Sequence, residues 1–232
     1  KTAYEIGVRL VGSEMCIRDS LNPMKVLNDW MKEVSNDGKQ PNPNCFSIAT
    51  TNREGSSNAR MVLCKEIDIE DGYIVFYTNY NSTKAIELDY QSECSGVFHW
   101  DNYGYQVRIK GFALKSPRDE SDDYFLSRSL GSQVAAWASE QSNSIGNRKD
   151  LEKQFDATLK KFNIKQKQLM ENDQKLPRPP FWGGYRIWIH EIEIWLNQND
   201  RFHDRLLFQR DLSLKDGRYI STKGWIKKRL QP

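Results

Sequence analysis

The chain has 232 residues, with 34 basic and 31 acidic side chains and a net charge of +3. This length suits one domain with additional helices, and it can bury a hydrophobic core without disulfides or a structural metal. The even charge balance argues against nucleic-acid wrapping or adsorption to a membrane surface, although it is compatible with local basic pockets for phosphates. A mean hydropathy of −0.75 and the lack of any apolar run of about 18 residues exclude a conventional transmembrane helix.

The four cysteines show no C-x-x-C spacing, and Cys45 and Cys64 lie within apolar, strand-like runs; the other two are Cys16 and Cys94. Buried thiols in a reducing cytoplasm are therefore expected, with no metal site.

Residues 1–20 are too short and too interrupted by charge for a secretion signal, and residues 11–20 resemble translated adapter sequence. We expect residues 1–20 to be non-native, or alternatively a disordered arm, and residues 21–232 to form a single domain.

The apolar spacing between residues 22 and 40 predicts a helix that ends near Gly38. Segments rich in β-branched and aromatic residues follow and predict strands over 45–51, 59–67, 73–78, 96–100 and 106–114. Helical periodicity predicts two insertions, 121–139 and 148–170, before an extended connector at 177–180. Further strands are expected over 185–195, 204–209 and 225–230. The prediction is a mainly β fold with helical insertions, built on an antiparallel barrel.

One candidate anion site lies where strand 73–78 runs into a helix. Ser82 is a plausible N-cap, and the backbone N–H groups of a helix N-terminus favour an anion. Lys84 in the first turn opposes the helix dipole unless an anion compensates its charge. The alternative is an ordinary capped helix with a solvated lysine.

Two other strands carry basic residues. Arg60 and Lys65 bracket an apolar run, and their odd spacing places them on opposite faces of a regular strand. They could also be strand-end charges that reach solvent. Gln106, Arg108 and Lys110 alternate along one strand and form a polar face, which is equally compatible with the exposed side of a sheet.

A dense polar cluster, Arg201-Phe-His203-Asp204-Arg205, lies between two predicted strands. Arginine is suited to flat stacking and to bidentate contacts with anions, whereas histidine can transfer protons near neutral pH. A salt-bridged turn is the alternative interpretation.

Ordered motifs along residues 22–232 resemble the pyridoxine/pyridoxamine 5′-phosphate oxidase family. The matching runs include Arg60-Met-Val-Leu-x-Lys65, Phe76-Tyr-Thr-Asn79, Ser82-x-Lys84, Gln106-Val-Arg108-x-x-Gly111, Tyr124-Phe-x-Ser-Arg128, Ser132-Gln133, Ser139-x-Gln141-Ser142, Trp182-Gly-Gly-Tyr185, Glu193-x-Trp195, Arg201-x-His-Asp-Arg205 and Trp225-x-x-x-Arg229-Leu-x-Pro232. The resemblance implies a split β-barrel that binds flavin mononucleotide (FMN) and works as a cytoplasmic homodimer, with each flavin held between the subunits. It implies oxidation of pyridoxamine or pyridoxine 5′-phosphate to pyridoxal 5′-phosphate, with O2 as acceptor and H2O2 released.

The same resemblance assigns roles to individual residues. FMN would be contacted by Arg60, Met61, Val62, Leu63, Tyr77, Thr78, Ser82, Lys84, Gln106, Gln141, Ser142, Trp195 and Arg205. The substrate phosphate would be held by Lys65, Tyr124, Arg128 and Ser132. Tyr124 and Arg128 are four residues apart, so one helix face could present both. Arg201 and His203 would lie over the substrate ring as the catalytic pair.

The chain departs from the family pattern at a few positions. Thr83 stands where arginine is usual, as does Tyr105; Leu196-Asn197 replace Gln-Gly, and Phe202 replaces a leucine. One rival function is a split-barrel flavoprotein, a reductase or a binding protein, without oxidase turnover. A flavin carrier has no need of the second phosphate pocket, which argues against it. A nucleic-acid-binding module is disfavoured because the basic residues are scattered.

Overall fold

A curled antiparallel sheet is the framework of the molecule, whose computed structural model describes residues 21–171, 174–221 and 223–232. The expectation for residues 1–20 lies outside these ranges. Within them the main sheet has nine strands, in the order β11-β8-β7-β6-β5-β1-β2, with β4 paired to β7 and β3 to β4. A separate hairpin is formed by β9 and β10. The strands are β1 Cys45–Thr51, β2 Ser57–Leu63, β3 Glu66–Asp68, β4 Tyr73–Asn79, β5 Glu93–Trp100, β6 Tyr105–Lys115, β7 Trp182–Leu196, β8 Asp204–Gln209, β9 Ser213–Lys215, β10 Arg218–Ile220 and β11 Ile226–Leu230.

The long strand β7 connects the two ends of the sheet. One of its edges pairs with β6, while the other pairs with β4 over residues 182–188 and with β8 over residues 191–196. The register with β6 shifts between Lys110 and Gly111. A Cβ at Gly111 would lie 2.5 Å from the Trp188 carbonyl oxygen, so only glycine allows this close approach. Such an irregularity increases local twist and helps to curl the sheet.

The prediction of one continuous strand over residues 59–67 is wrong. This segment is two strands, β2 and β3, because the chain changes partners between them. The Cys64 amide donates to the Asn44 carbonyl oxygen at 2.8 Å, whereas the Lys65 amide donates to that of Val75, also at 2.8 Å. The chain thus leaves β1 and joins β4 at this point.

The first helix, α1 (Pro23–Asp37), matches the predicted amphipathic segment. The Asn22 side chain accepts a hydrogen bond from the Met24 amide at 2.9 Å, and Gly38 ends the helix with a left-handed φ of 66°. Trp30 stacks on Tyr105 with the ring centroids 4.1 Å apart, and both rings are buried. Tyr105 therefore belongs to the core, where each large buried side chain contributes roughly 1.5–3 kcal/mol.

The other helices are α2 Thr83–Tyr90, α3 Arg118–Ser127, α4 Leu130–Ala138, α5 Arg148–Lys161 and α6 Gln168–Glu171. The single helix predicted over 121–139 is wrong, because Arg128 and Ser129 are extended and Ser129 caps a new helix. The helix predicted over 148–170 is also too long. It ends at Lys161, just before Asn163 adopts a positive φ of 52°.

A second hydrophobic cluster, which includes Phe125, Val134, Leu159 and Trp182, packs the helical insertions against the start of β7. Cys64 and Cys94 are buried free thiols, and burial raises the pKa of each to about 12. Across the described residues, no helix is long and apolar enough to span a membrane, and no group of three or more His, Cys, Asp or Glu side chains could hold a metal ion.

Candidate active site

A cleft of about 940 Å³ opens between β2, the end of β4, the start of α2 and helix α4. Its walls contain basic, aromatic and small polar side chains. Predicted site residues that line it are Arg60, Met61, Val62, Leu63, Lys65, Tyr77, Thr78, Lys84, Tyr124, Arg128, Ser132, Gln141 and Ser142. Thr83, Asn79, Ser139 and Trp182 also line the cleft, and Trp182 could have been suggested by its place in the Trp-Gly-Gly-Tyr motif.

Lys84 is the most unusual cation of the cleft, because it is buried and forms no ion pair with any residue that the structure describes. Its ammonium lies 3.0 Å from Thr78 Oγ1, 3.1 Å from Ser82 Oγ and 3.1 Å from Gln141 Oε1. Burial, followed by the charge of Arg60, lowers the pKa of Lys84 to about 8, with Glu87 acting in the opposite direction. The solvated-lysine alternative is thus wrong. All three contacts are neutral oxygens, so an anion would restore the balance of charge here.

The N-terminus of α2 beside this lysine is capped in an unexpected way. Ser82 occupies the N-cap position with extended φ and ψ, but its side chain makes no capping hydrogen bond. Its hydroxyl instead accepts from the Lys84 ammonium. The Thr83 amide donates to Ser142 Oγ at 3.2 Å. The loop after α4 therefore reaches the end of α2 where an anion would bind.

Arg60 lies next to this lysine on β2. It donates to Thr50 Oγ1 and to the Asn58 carbonyl oxygen, and it pairs with Glu87 at 3.3 Å. The prediction that Arg60 and Lys65 occupy opposite faces of a regular strand is wrong. Both line the same cleft because the strand is interrupted at Cys64, where the alternation of faces ends.

A second basic region lies across the cleft. Arg128 lies over the Trp182 ring at 4.7 Å, and its NH1 is buried with no hydrogen-bond partner among the described residues. Burial lowers the pKa of Arg128. Lys65 lies over the Tyr124 ring at 5.9 Å, and Tyr124 stacks on Tyr77 at 3.9 Å. An unpartnered buried guanidinium group is costly unless an anion binds it.

Tyr124 and Arg128 do not share a helix face as predicted. Helix α3 ends at Ser127, and Arg128 is its extended C-cap residue. Both side chains nevertheless line the cleft, together with Ser132 from the first turn of α4. A kink between two helices, rather than one continuous face, brings them together.

The remaining predicted residues lie outside the cleft wall. Ser82 is fully buried beneath it. Gln106, Trp195 and Arg205 form a row across three neighbouring strands, since Trp195 is the register partner of both others. Trp195 also contacts the His203 ring, with centroids 4.5 Å apart.

Arg201 and His203 lie in the loop between β7 and β8. Asp200 and Arg201 have positive φ values of 56° and 59°, an uncommon conformation for two consecutive non-glycine residues. The next residue, Phe202, is 77% exposed. His203 Nδ1 accepts a hydrogen bond from the Gln198 amide at 3.2 Å, which places the proton of the neutral ring on Nε2.

Arginines near this loop are paired with residues outside the predicted polar cluster. Arg205 donates to Glu193 at 2.8 Å and to the Gln231 carbonyl oxygen at 3.0 Å. Asp204 pairs with Arg229 at 2.5 Å. The alternative of a salt-bridged turn is thus supported for Asp204 and Arg205, although their ion pairs connect separate strands.

The cleft and the Trp195 row occupy different ends of β7. Trp182 and Trp195 are separated by roughly 43 Å of strand at about 3.3 Å per residue. Leu196 is buried, and the Asn197 amide donates to the Gly104 carbonyl oxygen, so the Leu-Asn departure supports the turn beside this row.

Comparisons with known proteins show which family the chain resembles. The family model "Pyridoxamine 5'-phosphate oxidase" matches residues 36–161, and the model "Pyridoxine 5'-phosphate oxidase C-terminal dimerisation region" matches residues 182–232. The chain is 39% identical over 211 residues to a pyridoxine/pyridoxamine 5′-phosphate oxidase of Burkholderia cenocepacia (strain HI2424), covering 91% of this chain and 89% of the relative. It is 41% identical over 211 residues to the protein of the same name from Burkholderia mallei (strain SAVP1), with the same coverage.

Two solved structures share the fold. PhzG from Burkholderia lata 383, in complex with tetrahydrophenazine-1-carboxylic acid, has a TM-score of 0.75 at 27% identity, covering 92% of this chain and 95% of that chain. An FMN-binding protein from Nostoc punctiforme PCC 73102, related to pyridoxamine 5′-phosphate oxidase, has a TM-score of 0.65 at 13% identity, covering 92% and 99%. These likenesses confirm the predicted split barrel, and the match to the dimerisation region supports a homodimer. The chain therefore belongs to the pyridoxine/pyridoxamine 5′-phosphate oxidase family, whose oxidoreductases use FMN as cofactor.

Proposed function

We propose that the protein oxidises pyridoxamine 5′-phosphate and pyridoxine 5′-phosphate to pyridoxal 5′-phosphate. The amine reaction consumes O2 and water and releases ammonia and H2O2, whereas the alcohol reaction consumes O2 and releases H2O2. The observation that carries this proposal is the presence of two separate cationic regions in one aromatic cleft. One contains Lys84 and Arg60, and the other contains Lys65 and Arg128.

The first region fits the FMN phosphate. Lys84 is a buried cation among neutral oxygens, and Arg60 lies beside it at the N-terminus of α2. We assign Met61, Val62, Leu63, Tyr77, Thr78, Ser82, Gln141 and Ser142 to the same cofactor site. Held by these residues, FMN would supply the two-electron redox chemistry between the substrate carbon and O2.

The second region suits the substrate phosphate. Arg128 Nη1 is buried without a hydrogen-bond partner in the described part of the chain, and Lys65, Tyr124 and Ser132 line the same part of the cleft. A phosphate held by an arginine and a lysine gains charge-assisted hydrogen bonds. Anchoring the phosphate would fix the substrate ring against the cofactor ring, which raises the effective concentration of the reacting atoms.

We further propose that the partner subunit supplies Gln106, Trp195, Arg201, His203 and Arg205 to this cleft. The long stretch of β7 between Trp182 and Trp195 supports a shared site, as does the match of residues 182–232 to a dimerisation region. Arg201 would position the substrate ring and assist the reaction electrostatically. His203 would donate a hydrogen bond from Nε2, because its Nδ1 already accepts one from the Gln198 amide.

Two other functions remain as rivals. The likeness to PhzG suggests a tricyclic carboxylic acid as substrate, and a split-barrel flavoprotein could lack oxidase turnover altogether. The Lys65 and Arg128 region favours an enzyme with an anionic substrate over a flavin carrier, since a carrier would leave Arg128 Nη1, which has no partner among the described residues, without a role.

The test uses the purified full chain supplied with FMN. We expect flavin absorbance, and pyridoxal 5′-phosphate and H2O2 formed in equal amounts from either phosphorylated substrate. Unphosphorylated pyridoxamine is the matched control and should react far more slowly. Bound flavin without turnover would favour the binding-protein rival, whereas faster oxidation of tetrahydrophenazine-1-carboxylic acid would favour the PhzG-like one.

A further inference from the structure

A buried carboxylate lies behind the proposed FMN phosphate site. Glu87 is only 4% exposed and is three residues after Lys84 on α2, but it does not line the cleft. It accepts hydrogen bonds from Thr50 Oγ1 and from Asn58 Nδ2, the latter at 2.5 Å, and it pairs with Arg60 at 3.3 Å. Its oxygens are therefore held by three side chains from β1 and β2.

Without Glu87, the positive charges of Arg60 and Lys84 would have no negative charge beside them among the described residues. Two cations lie close enough for Arg60 to disfavour the charged form of Lys84. Within the described part of the chain, Glu87 is the only carboxylate that forms an ion pair with Arg60, and no carboxylate forms one with Lys84. Like charges in a partly desolvated site repel strongly unless an anion is present.

We propose that Glu87 is an internal counter-ion that keeps Arg60 and Lys84 together before FMN binds. The inference rests on the proposed assignment of these two cations to the FMN phosphate. Glu87 and the phosphate are then two anions that balance the same pair of cations, one permanently and one on cofactor binding. Cofactor loading and the stability of this part of the fold are thereby coupled.

This role predicts a change in how strongly phosphate stabilises the protein. Glu87→Gln keeps the size of the side chain but removes its charge, so the flavin-free variant should unfold at a lower temperature. Bound phosphate should recover much of this loss, because it supplies the missing negative charge. The increase in Tm on saturation with FMN should therefore exceed that of the wild type, by on the order of 4 °C. A purely structural role would lower the Tm of the flavin-free and FMN-bound forms equally.

Thermal unfolding of the full chain tests the proposal without any activity measurement. The wild type, Glu87→Gln and Asp89→Asn are compared without ligand and with inorganic phosphate, riboflavin or FMN. Asp89 is a matched control on the same helix, since it contacts Tyr185 and Lys115 rather than Arg60. We expect the larger increase in Glu87→Gln with phosphate and FMN, and equal increases in all three proteins with riboflavin.

The outcomes separate the inference from the site assignment. If FMN raised the Tm of Glu87→Gln by the same amount as that of the wild type, or by less, the counter-ion role would be overturned. A smaller rise would mean that Glu87 mainly aligns Arg60 for the phosphate. If riboflavin stabilised the wild type as much as FMN and phosphate had no effect, the assignment of the phosphate site itself would fail. If Glu87→Gln does not fold without ligand, the proposal requires that it refold with FMN but not with riboflavin. Failure to refold with either ligand would contradict the proposal.

Discussion

Trp182 and Trp195 lie on the same strand, thirteen positions apart, yet only Trp182 lines the cleft. Trp195 instead contacts His203 at the other end of β7. The strand thus presents one group of predicted site residues at its start and another at its end. In a two-fold symmetric dimer, every contact between the subunits occurs twice. The group at the start of β7 in one subunit can therefore join the group at the end of β7 in its partner, which gives two equivalent sites.

A shared site predicts that two impaired variants complement each other. Arg128→Met would remove the proposed substrate anchor of the cleft, and Arg201→Ala would remove the ring contact proposed to come from the other subunit. Random 1:1 mixing of subunits should restore about one quarter of the wild-type activity, because half of the dimers are mixed and each holds one intact site. Activity is measured after the mixed subunits are unfolded and refolded together.

The control for complementation is a mixture of two variants from the same group. Arg128→Met mixed with Lys65→Met should gain no activity over the separate variants, since every site then carries one defect. If differently tagged subunits co-purified but the first mixture also gained no activity, the shared-site model would be wrong.

Lys84 predicts a pH dependence of FMN binding. Its pKa is lowered to about 8 in the flavin-free protein, so the ammonium is lost as the pH rises through this value. The dissociation constant of FMN should increase above pH 8, approaching about tenfold per pH unit. Fluorescence titration between about pH 6.5 and 9.5 measures the change, and Lys84→Met should abolish it. A constant affinity across this range in the wild type would exclude Lys84 as a phosphate ligand.

The same pKa shift affects stability in the opposite direction. A lysine that is easier to deprotonate in the folded state than in the unfolded one destabilises the fold while it is charged. Between pH 8 and the ordinary value of 10.5, the unfolded chain binds more protons, so the contribution of Lys84 to stability increases with pH. Urea unfolding of the flavin-free protein should show this increase relative to Lys84→Met.

Arg128 should matter far more for the substrate than for the fold. Arg128→Met removes a guanidinium group whose buried Nη1 has no partner in the described structure, so the free energy of unfolding should change little or increase. The loss of a charge-assisted contact should lower kcat/KM for pyridoxamine 5′-phosphate by about 10- to 150-fold, which corresponds to roughly 1.5–3 kcal/mol. Arg118→Met is the control, because Arg118 is exposed and pairs only loosely with Asp122 at 3.7 Å. An unchanged kcat/KM in Arg128→Met would refute the substrate-phosphate assignment.

Thr83 offers a gain-of-affinity test. It lines the cleft beside Lys84, at a position where the family resemblance places arginine. Thr83→Arg should add a charge-assisted contact to the FMN phosphate and lower its dissociation constant by about tenfold, with little effect on riboflavin binding. Equal tightening of FMN and riboflavin would show that the added side chain acts on the ring instead of the phosphate.

Local patterns in the sequence determined much of the fold and of the site. Segments rich in β-branched and aromatic residues predicted most strands, and the spacing from Met24 to Val34 predicted α1. The predicted site residues of the motifs at 60–65, 77–84, 124–132 and 141–142 do converge on one cleft, apart from the buried Ser82. These features depend on neighbours within a few positions, and such information is present in a single sequence.

Only the tertiary structure decided where these patterns are interrupted and which residues meet. The break at Cys64 turns Lys65 into the cleft, and the kink at Arg128 separates two helices that looked continuous. Glu87 showed no signal of its own, because its contacts with Thr50, Asn58 and Arg60 come from distant strands. Strand pairing and helix packing are non-local, so the energy of these contacts cannot be read from the residues adjacent in the chain.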